Sequence, residues 1–244
     1  YKCLYGVDLE IQGGESRKAA IYRKCEELID GFNPDLVIMC RYSGKDGLVL
    51  SKVCRRKGIP IMYHIDDLLF EPSADVLDPK KFEIYKKRSP VVLELIRSSD
   101  LVYSSTPALM RELRVATGHP NIVVGKIYKS IDPADILVGQ DRKKIIGYTG
   151  FGHSQDLESI EDVLIEILST YTDWKLELIG TIVPSRRLRS LGGQVLMLPP
   201  DKDYDSFISL LKSRKWSIGI CPLVDNRFNS LKANTKWVEY SFCN

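Results

Sequence analysis

Short apolar, β-branched runs bounded by turn residues recur along the chain. They cover Asp35 to Cys40, Ile59 to Ile65, Asp100 to Ser105, Ile122 to Ile127, Lys144 to Tyr148, Trp174 to Gly180, Gln194 to Leu198 and Ser217 to Pro222. Each predicts a buried strand. Most of the intervening stretches have helical spacing. Leu157, Ile160, Val163, Leu164, Ile167, Leu168 and Tyr171, for example, fall on one side of a helix of period 3.6. Continuously apolar strands alternating with amphipathic helices predict parallel sheets covered on both faces, because each crossover helix buries its stripe against the sheet. The fold class is therefore α/β. Residues 131–144 break the rhythm with Pro, Gly and charges before a fresh strand-helix series begins. A domain boundary is expected near residue 140, giving domains 1–140 and 141–244.

At 244 residues the chain is long enough for two small cores. Lys plus Arg number 35 against 32 Asp plus Glu, and the resulting charge of +3 is too small to call for a nucleic-acid partner. The six cysteines show no C-x-x-C spacing and several stand in apolar runs, so they read as free, buried thiols of a reducing, cytoplasmic setting. With three histidines and no Cys/His cluster, no structural zinc site is expected. No apolar run approaches the roughly 20 residues that span a bilayer, so any membrane association is expected to be peripheral. The dinucleotide pattern G-x-G-x-x-G, the P-loop and the G-x-S-x-G elbow are absent, which argues against NAD enzymes, P-loop NTPases and serine hydrolases.

Two segments have the residue types for binding an anion. Ile145 to Ser154 (IIGYTGFGHS) is a strand running into a glycine-bearing loop and then a helix. Glycines let a phosphate approach the backbone, and the N–H groups of a helix start favour negative charge. His153 would add a donor. A tight strand-helix turn with Ser154 as N-cap explains the same residues equally well.

The second segment, Ser217 to Tyr240, reads as a buried strand, a polar loop and a helix. Lys232, Lys236 and Glu239 at i, i+4 and i+7 would share one helical face, while Ala233, Trp237 and Tyr240 would share another that packs on the sheet. Two ammonium groups and a carboxylate suit a nucleoside diphosphate sugar. The lysines neutralise the leaving diphosphate, and the carboxylate accepts hydrogen bonds from hydroxyls. Spacing alone favours a solvated Lys–Glu face.

This segment resembles the donor-binding segment of GT-B glycosyltransferases, in the family 4-like branch that reads approximately G-I-A-P-L, D-x-x-F-N and K-x-x-x-K-x-x-E-Y. The chain offers GICPL, DNRFN and KANTKWVEY. In the same order, IPIMYHIDDLLFEP, SSDLVYSSTPALMRELR and IGYTGFGHSQDLESI are similar to further motifs of that branch. The resemblance implies two Rossmann-like lobes facing each other, with the nucleotide-sugar donor held mainly by the C-terminal lobe and no required metal or other cofactor. It assigns Gly150, Gly152 and His153 to phosphate or sugar, Lys232 and Lys236 to the diphosphate, and Glu239 to ribose or donor sugar, with amides from Asn229 and Asn234. The activity implied is transfer of a hexose or deoxyhexose, rhamnose among them, to a saccharide or glycan acceptor in polysaccharide synthesis. Of the widespread E-x7-E pair only Glu239 is present, Leu231 standing at the first position. The usual P-N-G-I-D appears as YKSID. The chain ends five residues after Glu239, so the C-terminal lobe is expected to be incomplete and the chain to be part of a larger polypeptide. A non-catalytic nucleotide-sugar-binding module is the alternative reading.

Asp66 and Asp67 stand in the acceptor-side motif. A D-x-D at a strand end can hold a divalent ion, but adjacent aspartates tend to diverge. They are expected to orient or deprotonate the acceptor hydroxyl, or alternatively to cap the helix that follows.

Overall fold

The computed structural model describes residues 17–72, 79–128, 141–152, 154–201 and 203–243. The chain divides into two compact units, Tyr1–Lys126 with Ser230–Ala233, and Ile127–Asn229 with Asn234–Asn244. The boundary expected near residue 140 falls outside the described residues.

In the first unit helix α1 (Arg17–Phe32), strand β1 (Val37–Cys40), helix α2 (Asp46–Arg56), strand β2 (Ile61–Ile65), helix α3 (Pro79–Ser98), strand β3 (Leu101–Ser104), helix α4 (Pro107–Thr117) and strand β4 (Ile122–Val124) alternate along the chain. Local chemistry sets the ends of α4. Thr106 is extended and its Oγ1 accepts the Leu109 N–H at 3.1 Å, Pro107 pre-sets the first turn, and Gly118 closes the helix at φ 65°. The four strands are parallel in the order β1-β2-β3-β4, with Val37 opposite Ile61 and Met62 opposite Leu101. Successive strands are neighbours throughout, and right-handed crossovers then bring their helices to one side, where α1 packs on α2, α2 on α3 and α3 on α4. Met39, Tyr63, Ile65, Val102 and Ile122 are buried, whereas the alternate positions are half-buried on the central strands (Met62, His64, Leu101 and Tyr103) and exposed on the edge strands (Ile38, Cys40 and Val123). Among the described residues this sheet is therefore fully covered on one face and only partly on the other, where its apolar strands predict full cover on both.

The second unit has β5 (Lys143–Gly150), α5 (Ser154–Glu158), α6 (Glu161–Thr170), β6 (Lys175–Gly180), α7 (Arg186–Arg189), β7 (Val195–Leu198), α8 (Tyr204–Arg214), β8 (Trp216–Gly219), α9 (Arg227–Ser230) and α10 (Thr235–Cys243). Its parallel strands run in the order β7-β6-β5-β8. Both faces are covered. Ile146, Tyr148, Leu164 and Leu176 belong to one core, and Ile145, Ile179, Leu211, Trp216 and Tyr240 to the other. Each fully buried side chain of this kind contributes about 1.5–3 kcal/mol. Strand order reverses between β5 and β8, and at such a reversal the loops leaving the carboxyl ends part to form a crevice.

The expected helix carrying Lys232, Lys236 and Glu239 on one face is not continuous. Residues 231–234 are non-helical, and α10 starts at Thr235. In an unbroken helix the Leu231 carbonyl would accept the Thr235 N–H, but here it accepts the Thr106 hydroxyl at 2.9 Å. Leu231 is buried, and the Asn234 carbonyl takes the first bond of α10, from the Val238 N–H at 3.1 Å. The expected inward face of this helix is met only in part. Tyr240 and Cys243 are buried, whereas Trp237, expected against the sheet, is 62% exposed.

Cys25, Cys54 and Cys243 are free and buried as expected, but Cys40 and Cys221 are exposed. Cys40 is the last residue of β1, and Cys221 lies two residues past β8. Cys3 lies outside the described residues. No helix among the described residues is long and apolar enough to cross a membrane.

Candidate functional site

A cavity of about 370 Å³ opens at the carboxyl ends of β5 and β6, entirely within the second unit. Its floor is backbone. Gly150 and Gly180 are register partners on the two strands, and Gly180 has φ 123°. A Cβ at Gly180 would stand 2.1 Å from the Gly150 carbonyl oxygen, so only glycine permits this approach. The Thr181 N–H donates to that carbonyl at 3.0 Å, and the Thr181 hydroxyl accepts the Gly152 N–H at 2.9 Å. The loop after β5 is thereby tied to the end of β6.

Lys236 and Glu239, one turn apart on α10, line the cavity together with Thr149, Phe151 and Tyr204. Lys236 Nζ lies 5.4 Å from the centre of the Tyr148 ring, whose face draws the ammonium toward the strand end. Lys236 is the second residue of α10, so its charge adds to the positive end of the helix dipole. The Tyr204 hydroxyl donates to Glu239 Oε1 at 3.4 Å. Burial and the neighbouring Glu239 push that phenol up to about 12, so Tyr204 remains a hydrogen-bond donor at neutral pH. Tyr240 is buried beneath, its hydroxyl 2.9 Å from the Thr149 backbone nitrogen and 3.0 Å from Thr149 Oγ1, which fixes α10 to β5. Phe151 is 63% exposed at the rim. Opposite charges on one helix above a glycine floor suit a ligand with both an anionic and a hydroxylated part.

Of the residues expected at a donor site, Gly150, Lys236 and Glu239 meet in this cavity. Gly152 is in the adjoining loop at φ 71°. His153 lies outside the described residues. Asn229 is buried, and its amide nitrogen reaches the Val224 carbonyl at 2.8 Å and Asp156 Oδ1 at 3.4 Å. The same Asp156 oxygen accepts the Val224 N–H at 2.9 Å. Asn229 thus anchors the loop after β8 to α5. Asn234 is exposed at the start of α10, and Lys232 groups with the first unit. Tyr204 and Phe151 were not singled out by sequence. The signals were there: an aromatic within G-F-G, and a tyrosine immediately after Asp203, whose side chain caps α8 by accepting the Ser206 N–H at 2.8 Å.

In the first unit Asp66 and Asp67 directly follow β2, and a single guanidinium joins them. Arg41 Nη1 donates to Asp66 Oδ2 at 3.1 Å and stands 3.0 Å from Oδ1, and Nη2 is 2.8 Å from Asp67 Oδ2. Adjacent aspartates therefore converge on one partner here, where the sequence predicts divergence. Burial raises the Asp67 carboxyl above its ordinary value, opposed by the charges of Arg41 and Lys232. His64 Nδ1 lies 3.2 Å from Cys40 Sγ, and burial lowers this imidazole, so it is neutral at pH 7.

No family model matches the chain, and no curated protein matches it. Solved structures do. HepE of Anabaena, in complex with UDP and glucose, is 16% identical with a TM-score of 0.56, over 93% of this chain and 60% of that one. A variant of S. aureus TarM, in complex with fondaparinux, α-GlcNAc-glycerol and UDP, is 13% identical with a TM-score of 0.54, over 81% of this chain and 39% of that one. The chain spans about half the length of these structures. Likeness at this level defines a fold. The fold is α/β with two Rossmann-like lobes, of the GT-B type.

Proposed function

We propose that this chain belongs to a glycosyltransferase that takes a sugar from a nucleoside diphosphate donor. The observation that carries the reading is the pairing of Lys236 and Glu239 on α10 above the Gly150–Gly180 floor, in a cavity at the carboxyl ends of β5 and β6. Lys236 and the start of α10 neutralise the diphosphate as it leaves, and this charge stabilisation calls on no metal ion. Glu239, held by Tyr204, accepts hydrogen bonds from ribose or donor-sugar hydroxyls. Gly150, Gly152 and His153 bring backbone and a donor to phosphate or sugar. Asn234, exposed at the start of α10, offers an amide to the donor, and the Asn229 amide holds the loop after β8 beside it.

Asp66 and Asp67 orient the acceptor hydroxyl, and one of them takes its proton as the oxygen attacks the anomeric carbon and the nucleoside diphosphate departs. Lys232 is proposed to meet the diphosphate as well, and its charge also acts on Asp67. The two structures described above carry UDP together with glucose or other saccharides, which supports a sugar nucleotide donor and a saccharide acceptor. The donor sugar is proposed to be a hexose or deoxyhexose, rhamnose among them, on the resemblance to the family 4-like branch alone.

Incubation of the protein with UDP-, GDP- and dTDP-sugars, with and without oligosaccharide acceptors, tests this. Release of nucleoside diphosphate is expected for one donor class and is faster with an acceptor. Binding without release points to a nucleotide-sugar-binding module, and the absence of both binding and release overturns the reading.

A further inference from the structure

Among the described residues three that are not glycine have left-handed backbone angles: Asn33 at φ 44°, Lys215 at φ 54° and Arg41 at φ 51°. Asn33 follows α1 and Lys215 closes α8, and a left-handed residue is routine at a helix end. Arg41 follows a strand. A side chain with a long stem is disfavoured there, and such a conformation persists only where the surroundings over-determine it.

Arg41 has those surroundings. Its N–H donates to the His64 carbonyl at 2.9 Å, continuing the β1–β2 pairing past the end of the strand. Its guanidinium spans Asp66 and Asp67 as described, and Tyr85 of α3 lies close enough to influence its charge. The groups that act on Asp67 are Arg41 from the end of β1, Lys232 from the segment Ser230–Ala233, and its neighbour Asp66. Burial and the neighbouring Asp66 charge both disfavour the charged form of Asp67. Arg41 reaches both carboxylates from the adjacent strand, in a fork geometry that lysine does not reproduce.

We infer that Arg41 is the positioning residue of the Asp66–Asp67 pair, holding the two carboxyl groups aligned at the end of β2. This rests on the reading of the pair as the acceptor-side base. An ionised carboxylate is required to take the proton of an incoming hydroxyl, so the residue that maintains the charge sets the lower pH limit of transfer.

The test uses Arg41→Gly, which removes the guanidinium and suits the left-handed backbone, alongside Arg41→Gln and Arg41→Lys. The carboxyl carbons of Asp66 and Asp67 are titrated by 13C NMR, with Asp67→Asn to assign the signal. The Asp67 midpoint is expected to rise by about one pH unit in the glycine and glutamine variants and by less in the lysine variant. The acidic limb of the transfer-rate profile should move by the same amount, with UDP affinity unchanged. A melting temperature of Arg41→Gly at or above that of the wild type would show that loss of fold is not the cause. An unmoved Asp67 midpoint in the glycine and glutamine variants overturns the inference. A moved midpoint with an unmoved rate profile upholds the role of Arg41 and overturns Asp67 as the base.

Discussion

Glu177 has 1% of its surface exposed, in the middle of β6, and it is ionised there because three donors surround it. Arg214 Nε donates to Oε2 at 2.8 Å, Arg214 Nη2 donates to Oε1, and Trp216 Nε1 donates to Oε2 at 2.8 Å. Burial pushes this carboxyl up, but the bonds from Arg214 and Trp216 outweigh it and hold the group below its ordinary value of 4.5. A carboxyl depressed on folding stabilises the protein fully above its unfolded value, and the contribution is lost as pH falls through the folded one. Glu177→Gln should therefore cost about 2 kcal/mol at pH 7, since it leaves a buried donor set facing a weaker acceptor. The difference from wild type should shrink below pH 4.5. Urea melts at pH 7 and in the acid range check both statements, and a pH-independent difference would contradict the ion pair as the cause. At the same scale, Lys236 and Glu239 were visible in the sequence because a one-turn spacing survives in any helix register. Arg41 was not, because its role depends on a backbone angle and on the neighbouring strand.

Among elements, all eight strands of the described residues were legible, each as an apolar run with turn residues at its ends. A parallel strand needs only that composition to be recognised. The helix after β8 was read too long. Its interruption depends on Thr106, which is 125 residues from Leu231 in sequence, and local periodicity carries no trace of so distant a partner. Thr106 serves two elements at once, accepting the Leu109 N–H to cap α4 and donating to the Leu231 carbonyl. Thr106→Val keeps the shape and removes both bonds, and a loss of about 1–2 kcal/mol is expected. Thr106→Ser should retain most of the stability. Equal losses in the valine and serine variants, read from denaturant midpoints, would contradict the hydroxyl as the link.

For the whole molecule the two units differ in topology. The second sheet reverses its strand order beside β5 and is covered on both faces, whereas the first runs without reversal and is fully covered on only one among the described residues. That difference was hidden in the sequence, because apolar runs do not record strand order. The cavity is bounded by the second unit alone, so a nucleoside diphosphate should protect it selectively. Hydrogen exchange with UDP at about a hundred times its dissociation constant should show slowing at residues 147–152, 178–181 and 235–240, with about 2.7 kcal/mol of added stability in the unit that binds. Residues 61–67 should exchange as before. Protection confined to the first unit would contradict the placement of the donor.

The most direct measurement is a calorimetric titration of UDP into the protein and into its Lys236→Ala variant. Saturable binding with one site per chain is predicted for the wild type. Loss of a charge-assisted contact of about 1.5–3 kcal/mol should weaken it about 10- to 100-fold in the variant. Equal affinity in the two proteins, or no binding by the wild type, would contradict the donor site on α10.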